Sequence, residues 1–483
     1  MSWIEKYDVV IGLEVHAQLA TNTKLFCGDS TVFGAEPNTH VSPITLGHPG
    51  TLPKTNRKAV NYAIRMGLAC SCEIEKDNYF ARKNYFYPDL PKGYQISQHT
   101  TPICKGGVVR IKTDDGSFRN VQLNRIHLEE DAGKSIHDLD DLYTCIDLNR
   151  AGTPLIEIVT EPDIFSAEEA YQYVTEIRKL VRWLGICDGN MEEGSLRCDA
   201  NISLKPKGSN KLGTRVEVKN VNSIRNVKKA IEFEVERLAA ILDAGKSVQQ
   251  QTRSFDASND TTFAIRDKEE ANDYRYFPDP DLAPFHLTET FINNIAAELP
   301  VLPNELQEKY QKELGLSPYD AHQLSEELAT SNYFNSVTEL TDNYKAAANW
   351  ILGPIRQWLH EHHLSIEELT LVPEKLVELL KLVDAGKVNF SVCSSKIMPL
   401  LIQNSNSTAL AIAESLNLLQ VSDTSELEKW IQEVITKMPD KVTEYQKGKK
   451  GLIGLFVGEV KKLSKGKADP KIVTDLLEKA LQK

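Results

Sequence analysis

Long apolar segments are absent from this sequence. No run of about 18 consecutive apolar residues, the minimum for a membrane-spanning helix, occurs in the 483-residue chain. The first residues, MSWIEKYDVV, lack the basic segment, apolar core and cleavage site of a secretory leader. We therefore expect no membrane partner and predict a cytoplasmic protein. A chain of this length is expected to form two to four domains, each on the order of 150 residues.

Cysteine is sparse and scattered. The eight cysteines lack the dense spacing of a disulfide scaffold, and only Cys70 and Cys72 lie close together. A lone C-x-C pair lacks the second pair that a structural zinc site needs, so we interpret both residues as reduced, buried thiols, with metal binding as the less favoured alternative. An excess of basic charge is also absent. The net charge of −12 argues against nucleic-acid binding by the whole surface, although a local basic surface stays compatible with it.

One strand-like segment carries two residues that are costly to bury. In residues 7–19, YDVVIGLEVHAQL, apolar positions alternate with others, and residues two apart share a face of a strand, so Glu14 and His16 point the same way. A carboxylate and an imidazole within an apolar segment need a partner, solvent in a cleft or a metal ion, because an unpaired buried charge is unfavourable by several kcal/mol. A surface salt bridge on an edge strand explains the pair equally well.

Further acidic residues occupy strand positions downstream. A dense set of oxygen and nitrogen ligands ends a predicted strand, namely His127, Glu129, Glu130 and Asp131. Glu157 stands within the apolar segment LIEIV, where a salt bridge to Arg150 is the structural alternative. We hypothesise one shared Mg²⁺ ion, a metal that takes one or two carboxylates together with substrate phosphates. Its candidate ligands are Glu14, His16, Glu130 and Glu157.

Two polar regions suit phosphate groups. Basic and aromatic residues interleave in residues 80–98, and this combination suits phosphate contact and base stacking, although plain loop packing gives the same composition. Residues 191–204 and 214–223 read as strands with a polar face, which either meets solvent or lines a nucleotide site. The candidate phosphate ligands in these regions are Arg82, Lys83, Arg197, Asn201 and Lys219.

The chain changes character near residue 299. From residue 303 onward glycine is sparse and helix-forming residues recur with helical periodicity, which predicts an all-α region. A small helical module follows from about residue 407, with eight lysines between positions 447 and 471. Such a tail is typical of electrostatic contact with an RNA backbone, although solubilising surface lysines are the commoner reason for a run of charge.

Eight long motifs follow one another along the chain. They are GLEVHAQL (12–19), FGAEPN (33–38), RKNYFYPDLPKGYQISQ (82–98), HLEEDAGKS (127–135), NRAGTPLIEIVTEPD (149–163), MEEGSLRCDANISL (191–204), EVKNVNS (217–223) and DYRYFPDPDL (273–282). In this order they closely resemble the GatB family, which is the B subunit of the aspartyl/glutamyl-tRNA(Asn/Gln) amidotransferases. The resemblance runs essentially from end to end and includes the helical region and the tail.

The resemblance implies a mixed α+β architecture. It comprises a largely antiparallel-sheet catalytic cradle domain over residues 1–295, an all-α helical domain over 296–406 and a small helical, YqeY-like tRNA-binding tail over 407–483. The implied activity is ATP-dependent phosphorylation of the side-chain carboxyl of Glu on tRNA(Gln), of Asp on tRNA(Asn), or of both. Amidation follows with ammonia that an amidase subunit releases from glutamine and that reaches this protein through a channel. A further, small subunit is the third member of the implied heterotrimer, and the implied cofactors are ATP and Mg²⁺.

The resemblance also gives the candidate residues a role. Glu14, His16, Glu130 and Glu157 form the site at which Mg²⁺ and the reacting end of the tRNA are expected to meet. Glu129 could replace Glu130, because strand phase alone does not decide between the two. The candidate phosphate ligands are then expected to bind ATP.

The chain departs from the family pattern in the loop that follows Lys24. Many members hold zinc there through a C-x-C pair and a later C-x-x-C pair. The corresponding positions in this chain are Cys27, Asp29, Ser42 and Thr45. Because two hydroxyl side chains in place of thiolates should not retain zinc, we predict a zinc-free loop held by packing.

Two other functions agree with the residue types alone. A Mg²⁺-dependent phosphohydrolase or nuclease would use the same carboxylates without needing an aminoacylated acceptor. A non-catalytic tRNA-binding scaffold would tolerate replacement of Glu14, His16 and Glu157. Only the family resemblance argues against these two alternatives.

Overall fold

The fold is described by a computed structural model. It covers residues 3–113, 115–137, 139–267, 274–404, 406–419, 424–464, 468 and 470–481. The chain divides into two compact units, Met1–Leu302 and Pro303–Lys483. The first unit combines a mostly antiparallel sheet with helices and the described part of the second is helical, so the predicted α+β class is confirmed. The predicted domain boundaries after residues 295 and 406 stay predictions.

The strands of the described residues all belong to the first unit. In chain order they are β1 Tyr7–Gln18, β2 Glu73–Ile74, β3 Asp77–Asn78, β4 Ala81–Asn84, β5 Tyr94–Ser97, β6 Cys104–Lys105, β7 Val108–Lys112, β8 Phe118–Glu130, β9 Lys134–Ile136, β10 Cys145–Asp147, β11 Pro154–Thr160, β12 Leu196–Pro206, β13 Val216–Val221, β14 Gln251–Asp256, β15 Thr261–Asp267, β16 Tyr276–Pro278 and β17 Phe285–His286. Among the described residues, ten strands form one sheet in the order β15-β14-β13-β12-β1-β11-β8-β6-β2, with β7 paired to β8. Every pair in this sheet is antiparallel except β13 with β14.

Helices cover one face of this sheet. They are α1 Trp3–Lys6, α2 Arg57–Ala69, α3 Ala167–Trp183, α4 Ile224–Asp243 and α5 Glu289–Ala297. Ser166 and Ser223 begin α3 and α4 as N-caps, because each hydroxyl accepts a hydrogen bond from a backbone N–H in the first turn. Apolar residues of α2, α3 and α4 join those of the strands in one hydrophobic core.

The central strand β1 presents two unlike faces. Leu13 and Val15 are fully buried and belong to the core that the helices cover, whereas Glu14 and His16 are only partly buried. Alternation of side chains along a strand therefore turns the two polar residues towards the face without helices. This arrangement confirms that the segment is a strand, and it places the strand inside the sheet rather than at an edge.

The second unit is helical over its described residues. Its α-helices are α6 Pro303–Lys312, α7 Pro318–Leu324, α8 Leu328–Thr338, α9 Tyr344–Trp350, α10 Arg356–His362, α11 Pro373–Asp384, α12 Phe390–Val392, α13 Met398–Gln403, α14 Ala409–Ser415, α15 Thr424–Lys437, α16 Pro439–Gln446, α17 Ile453–Leu463 and α18 Pro470–Leu481. Two short π-helices lie at Ile351–Ile355 and Cys393–Ile397, and two 3₁₀ helices at Ile366–Glu368 and Lys450–Leu452. Helices α15 to α18 share a hydrophobic cluster of their own. Nowhere in the described part of the chain is a helix long and apolar enough to cross a membrane.

Candidate functional site

A cleft of about 830 Å³ opens on the polar face of the sheet. Side chains of β1, β8, β11, β12 and β13 form its floor. The antiparallel register aligns them, because His16 lies opposite Arg197 on one side and opposite Glu157 on the other. Glu157 in turn pairs with His127 of β8. Residues far apart in sequence therefore meet as a row of polar groups across neighbouring strands.

The first acidic cluster consists of Glu129 and Glu157 with the imidazoles of His16 and His127. The His127 Nε2 atom lies 3.3 Å from Glu157 Oε2 and 3.4 Å from Glu129 Oε2. His16 Nε2 lies 3.5 Å from Glu157 Oε2 and 3.9 Å from Glu129 Oε1. The candidate ligand atoms of His16, Glu129 and Glu157 all lie within 4.8 Å of one another, so one metal ion can reach all three residues.

Electrostatics keep the two carboxylates of this cluster charged. Burial disfavours a charged imidazole, but Glu157 and Glu129 outweigh burial and raise the pKa of His127 to about 9. Burial also disfavours a charged carboxylate, yet His127 and His16 hold the pKa of Glu157 well below its ordinary value. Burial disfavours the charged form of Glu129 as well, yet His127 and Lys83 lower its pKa. Both carboxylates are therefore available as anionic ligands.

The second acidic cluster consists of Glu14, Asp199 and Glu217, whose oxygens also lie within 4.8 Å of one another. Lys219 neutralises part of this charge, because its Nζ atom lies 2.5 Å from Asp199 Oδ2 and 3.1 Å from Glu217 Oε1. Asn201 Nδ2 donates to Glu14 Oε1 at 2.9 Å. Burial and the neighbouring Glu157 raise the pKa of Glu14. The cleft thus contains two adjacent groups of carboxylates.

Three of the five candidate phosphate ligands reach the cleft already engaged with carboxylates. Asn201 and Lys219 contact the second acidic cluster, and Arg197 donates to Asp131. Lys83 differs, since no ion pair joins it to a carboxylate of the described residues. Its Nζ atom instead lies 4.8 Å from the ring centre of Tyr274 on the wall of the cleft. Among the five candidate phosphate ligands, Lys83 is therefore the one best placed to meet a phosphate.

Glu130 and Arg82 do not lie in this cleft. Strand alternation turns Glu130 to the other face of β8, where its Oε1 lies 2.5 Å from Lys92 Nζ and accepts from the Ile96 N–H at 2.8 Å. Arg82 Nε lies 2.8 Å from Asp279 Oδ2. Both residues line a separate cavity of about 210 Å³. The expected grouping of Glu130 with Glu14, His16 and Glu157 is therefore wrong, and Glu129, the alternative, takes its place. The expected grouping of Arg82 with Lys83 is wrong as well.

The loop after Lys24 is held by hydrogen bonds centred on one carboxylate. Asp29 Oδ2 accepts from Thr45 Oγ1 at 2.5 Å and from the Ser42 N–H at 2.8 Å. The Cys27 thiol lies 3.4 Å from Thr45 Oγ1. Buried Lys24 donates to the carbonyl oxygen of His40 at 2.6 Å. Hydrogen bonds thus connect Cys27, Asp29, Ser42 and Thr45, whereas packing was predicted to hold this loop.

Asp199 and Glu217 were not among the predicted metal ligands. The sequence placed them on a polar strand face without a metal role. Strand pairing is what places these two residues near Glu14. Asp199 pairs with Glu14 across β1 and β12, and Glu217 pairs with Asn201 across β12 and β13. Knowledge of the strand order would have located both residues beside Glu14. Single-strand periodicity cannot supply that order.

Comparison with known proteins identifies relatives over the whole length. A family model described as the GatB/GatE catalytic domain matches residues 9–293, and one described as the GatB domain matches residues 332–481. A protein of Thermodesulfovibrio yellowstonii, named as the B subunit of aspartyl/glutamyl-tRNA(Asn/Gln) amidotransferase, is 48% identical over 477 residues, covering 99% of this chain and 100% of its own length. A protein of the same name from Geobacter sp. strain M21 is 50% identical over 485 residues, with coverage of 99% and 100%.

Proposed function

Because the chain belongs to the GatB family, the B subunits of the aspartyl/glutamyl-tRNA(Asn/Gln) amidotransferases, we propose that its cleft phosphorylates an aminoacyl-tRNA. The γ-phosphoryl group of ATP passes to the side-chain carboxyl of Glu on tRNA(Gln), of Asp on tRNA(Asn), or of both. Ammonia then attacks the acyl carbon, phosphate leaves, and the amide remains. The observation that carries this proposal is the row of carboxylates, imidazoles and basic groups across five strands of one cleft.

The donor set of the first acidic cluster suits Mg²⁺. Glu129 and Glu157 offer hard, anionic oxygens, and His16 adds a nitrogen within the same 4.8 Å. When bound there, the ion would neutralise charge on the phosphates. Glu14 is separated from this set and belongs with Asp199 and Glu217, so a second cation would find its carboxylates there. Lys219 already supplies part of the charge that such an ion would neutralise.

The remaining groups of the cleft bind and orient the reactants. A carboxylate is a poor electrophile, so the substrate carboxyl must be held in line with the transferring phosphoryl group while charge is compensated. Lys83, packed over Tyr274, offers an ammonium to the phosphates. Arg197 offers a guanidinium, whose planar donor set matches a carboxylate or phosphate. The hydrogen bond from Asn201 fixes the orientation of Glu14.

We place the chain in a heterotrimer with two partners, namely an amidase and a second, small protein. The name of the relatives designates one subunit of several and so supports a multi-subunit enzyme. The amidase would release ammonia from glutamine, which makes this chain inactive with glutamine alone. The helical module from residue 407 onward would bind tRNA, and the lysines of α16, α17 and their connection suit contact with the tRNA backbone.

The function is tested by ADP release from ATP in the assembled heterotrimer. We expect ADP with Glu-tRNA(Gln), Asp-tRNA(Asn) or both, none with uncharged tRNA, and a loss of at least about a hundredfold in the His16→Ala variant, in line with removal of a group that stabilises developing charge. ADP formation that is equal with aminoacylated and uncharged tRNA would favour the alternative function, a phosphohydrolase. Undiminished ADP formation in His16→Ala, with amide product still formed, would mean that the metal site is misassigned.

We also predict that the purified chain contains only substoichiometric zinc. The loop after Lys24 keeps one thiol, Cys27, and joins its other positions through the Asp29 carboxylate. Metal analysis by plasma mass spectrometry checks this expectation. As a matched control, the triple variant Asp29→Cys, Ser42→Cys, Thr45→Cys restores four thiols and should take up one zinc per chain. Stoichiometric zinc in the wild-type chain would contradict the prediction.

A further inference from the structure

Asp131 joins the ends of three strands beside the cleft. It follows β8 directly and is only 5% exposed. Its Oδ2 atom accepts from Gln18 Nε2 of β1 at 2.7 Å, and its Oδ1 atom accepts from Arg197 Nη2 of β12 at 3.0 Å. The backbone N–H of Ala132 donates to Oδ1 at 2.9 Å. No step described so far uses this carboxylate, although it lies at the edge of the cleft.

Arg197 depends on Asp131 for its position. Within the described part of the chain, Asp131 supplies the one hydrogen bond that this guanidinium makes with protein. The Arg197 side chain is 31% exposed and lines the cleft, so its other N–H groups stay available to a ligand. Burial opposes its charge, but Asp131 outweighs burial and raises the pKa of the guanidinium. Asp131 therefore fixes the position of the charged guanidinium, while its other N–H groups stay accessible to a ligand.

The strand register brings this guanidinium next to the first acidic cluster. Arg197 lies directly opposite His16 in the pairing of β12 with β1, and His16 contacts Glu157. A planar guanidinium with one edge anchored and its other donors free suits a carboxylate, which accepts two parallel N–H donors. Long, flexible side chains lose considerable conformational entropy when a ligand immobilises them. An anchor that immobilises Arg197 beforehand removes that penalty.

We propose that Asp131 is a positioning residue for Arg197, and that the pair fixes a guanidinium beside His16 to receive the acidic side chain of the aminoacyl group. This inference rests on the proposed function, because it assigns the acceptor carboxylate of that reaction to Arg197. The backbone N–H of Ala132 donates to Oδ1, the same atom that accepts from Arg197, and keeps this oxygen aimed at the guanidinium. Lys83, on the wall of the cleft near Tyr274, is left to the phosphates of ATP.

A double-mutant cycle in the assembled heterotrimer tests whether Asp131 acts in the reaction through Arg197. We expect Asp131→Asn and Arg197→Gln each to lower kcat for ADP formation by about ten- to a hundredfold, as for misplacement of a substrate-orienting group. The KM for ATP should change little. The double variant should be no slower than Arg197→Gln, since Asp131 acts through Arg197. Losses that multiply, or a raised KM for ATP with unchanged kcat, would overturn the assignment.

The Gln18→Leu variant is the matched control. It removes the other side-chain hydrogen bond of Asp131 and leaves the contact with Arg197 in place. We expect its kcat to stay within about twofold of the wild type, since the Oδ1 atom of Asp131 keeps its hydrogen bonds with Arg197 and with the Ala132 N–H. A loss of kcat as large as that of Asp131→Asn would show that the Asp131 carboxylate serves only to hold the strand ends together. It would overturn the proposed role in positioning Arg197.

Crystal structures of the variants test, without any reaction, whether Asp131 holds Arg197 in place. In Asp131→Asn the Arg197 guanidinium should leave its position in the cleft, while in Gln18→Leu it should keep it. An unmoved guanidinium in Asp131→Asn would overturn the positioning role. If the wild-type enzyme forms no ADP with any aminoacyl-tRNA, the proposed function fails, and these structures still decide whether Asp131 positions Arg197.

Discussion

Replacement of Glu157 by Gln should lower aminoacyl-tRNA-dependent ADP formation by about a hundred- to a thousandfold, the usual effect of removing a group that stabilises developing charge. Both histidines of the first acidic cluster contact Glu157, at 3.3 and 3.5 Å, and each lies closer to it than to Glu129. Gln keeps the shape of the side chain but removes the charge that would hold Mg²⁺ and that raises the pKa values of His16 and His127. Steady-state ADP release over a range of Mg²⁺ concentrations measures the effect.

The matched control for this variant is Glu161→Gln. Glu161 follows the same strand, is exposed, and accepts from Asn124 Nδ2 outside the cleft. We expect its ADP formation to stay within about twofold of the wild type, because surface substitutions rarely alter a distant site. Thermal unfolding of both variants separates loss of chemistry from loss of fold. A Glu157→Gln enzyme that retains a tenth or more of its activity at saturating Mg²⁺ would contradict the assignment.

The Glu234→Gln variant should destabilise the first unit by about 3–5 kcal/mol, the range for breaking a buried ion pair. Glu234 on α4 is fully buried, and its carboxylate lies 3.0 Å from Arg253 Nε of β14 and 2.8 Å from Arg237 Nη2. A neutral Gln side chain cannot compensate the positive charge of two guanidinium groups, and the guanidinium of Arg253 is itself largely buried. Denaturant unfolding combined with hydrogen–deuterium exchange at β14 and β15 locates the loss in this part of the sheet.

Lys228→Met on the same helix provides the comparison. Lys228 Nζ lies 2.7 Å from Glu168 Oε2, but both side chains are about one-third exposed. An exposed pair of this kind contributes roughly 0–1 kcal/mol, because solvent screens it and side-chain entropy opposes it. We therefore expect little change in exchange or unfolding. Equal destabilisation by the two variants would show that burial is not what makes the Glu234 pair important.

The sequence located three residues that line the cleft, because strand periodicity is a strong signal in buried strands. Glu14, His16 and Glu157 stand in apolar segments whose alternation assigns each residue to a face, and all three line the cleft. The choice between Glu129 and Glu130 was harder. Five consecutive buried residues end β8, so burial at this end of the strand does not alternate. The pairing of Glu157 with His127 settles which face is polar, and pairing cannot be read from one strand.

The basic residues show a second limit of sequence reasoning. Arg82 and Lys83 were both assigned to phosphate, yet neighbours in a strand point to opposite faces. The structure places Lys83 in the cleft and engages Arg82 with Asp279 and Asp281. Once the segment is known to be strand β4, this alternation of side chains excludes a shared role for Arg82 and Lys83. The partners of Arg82, however, lie almost 200 residues away, as in the Arg82–Asp281 separation of 199, and no local pattern indicates them.

The antiparallel register that builds the cleft also affects how the protein acquires it during synthesis. The floor combines strands that begin at Tyr7 and end at Val221, and the pairing partner of β13 ends at Asp256. Non-local pairings of this kind form late, because the entropy of closing long loops must be overcome first. A nascent chain therefore carries the carboxylates proposed to bind metal on separate, unpaired strands. The two acidic clusters are complete only after the chain has left the ribosome as far as Glu217.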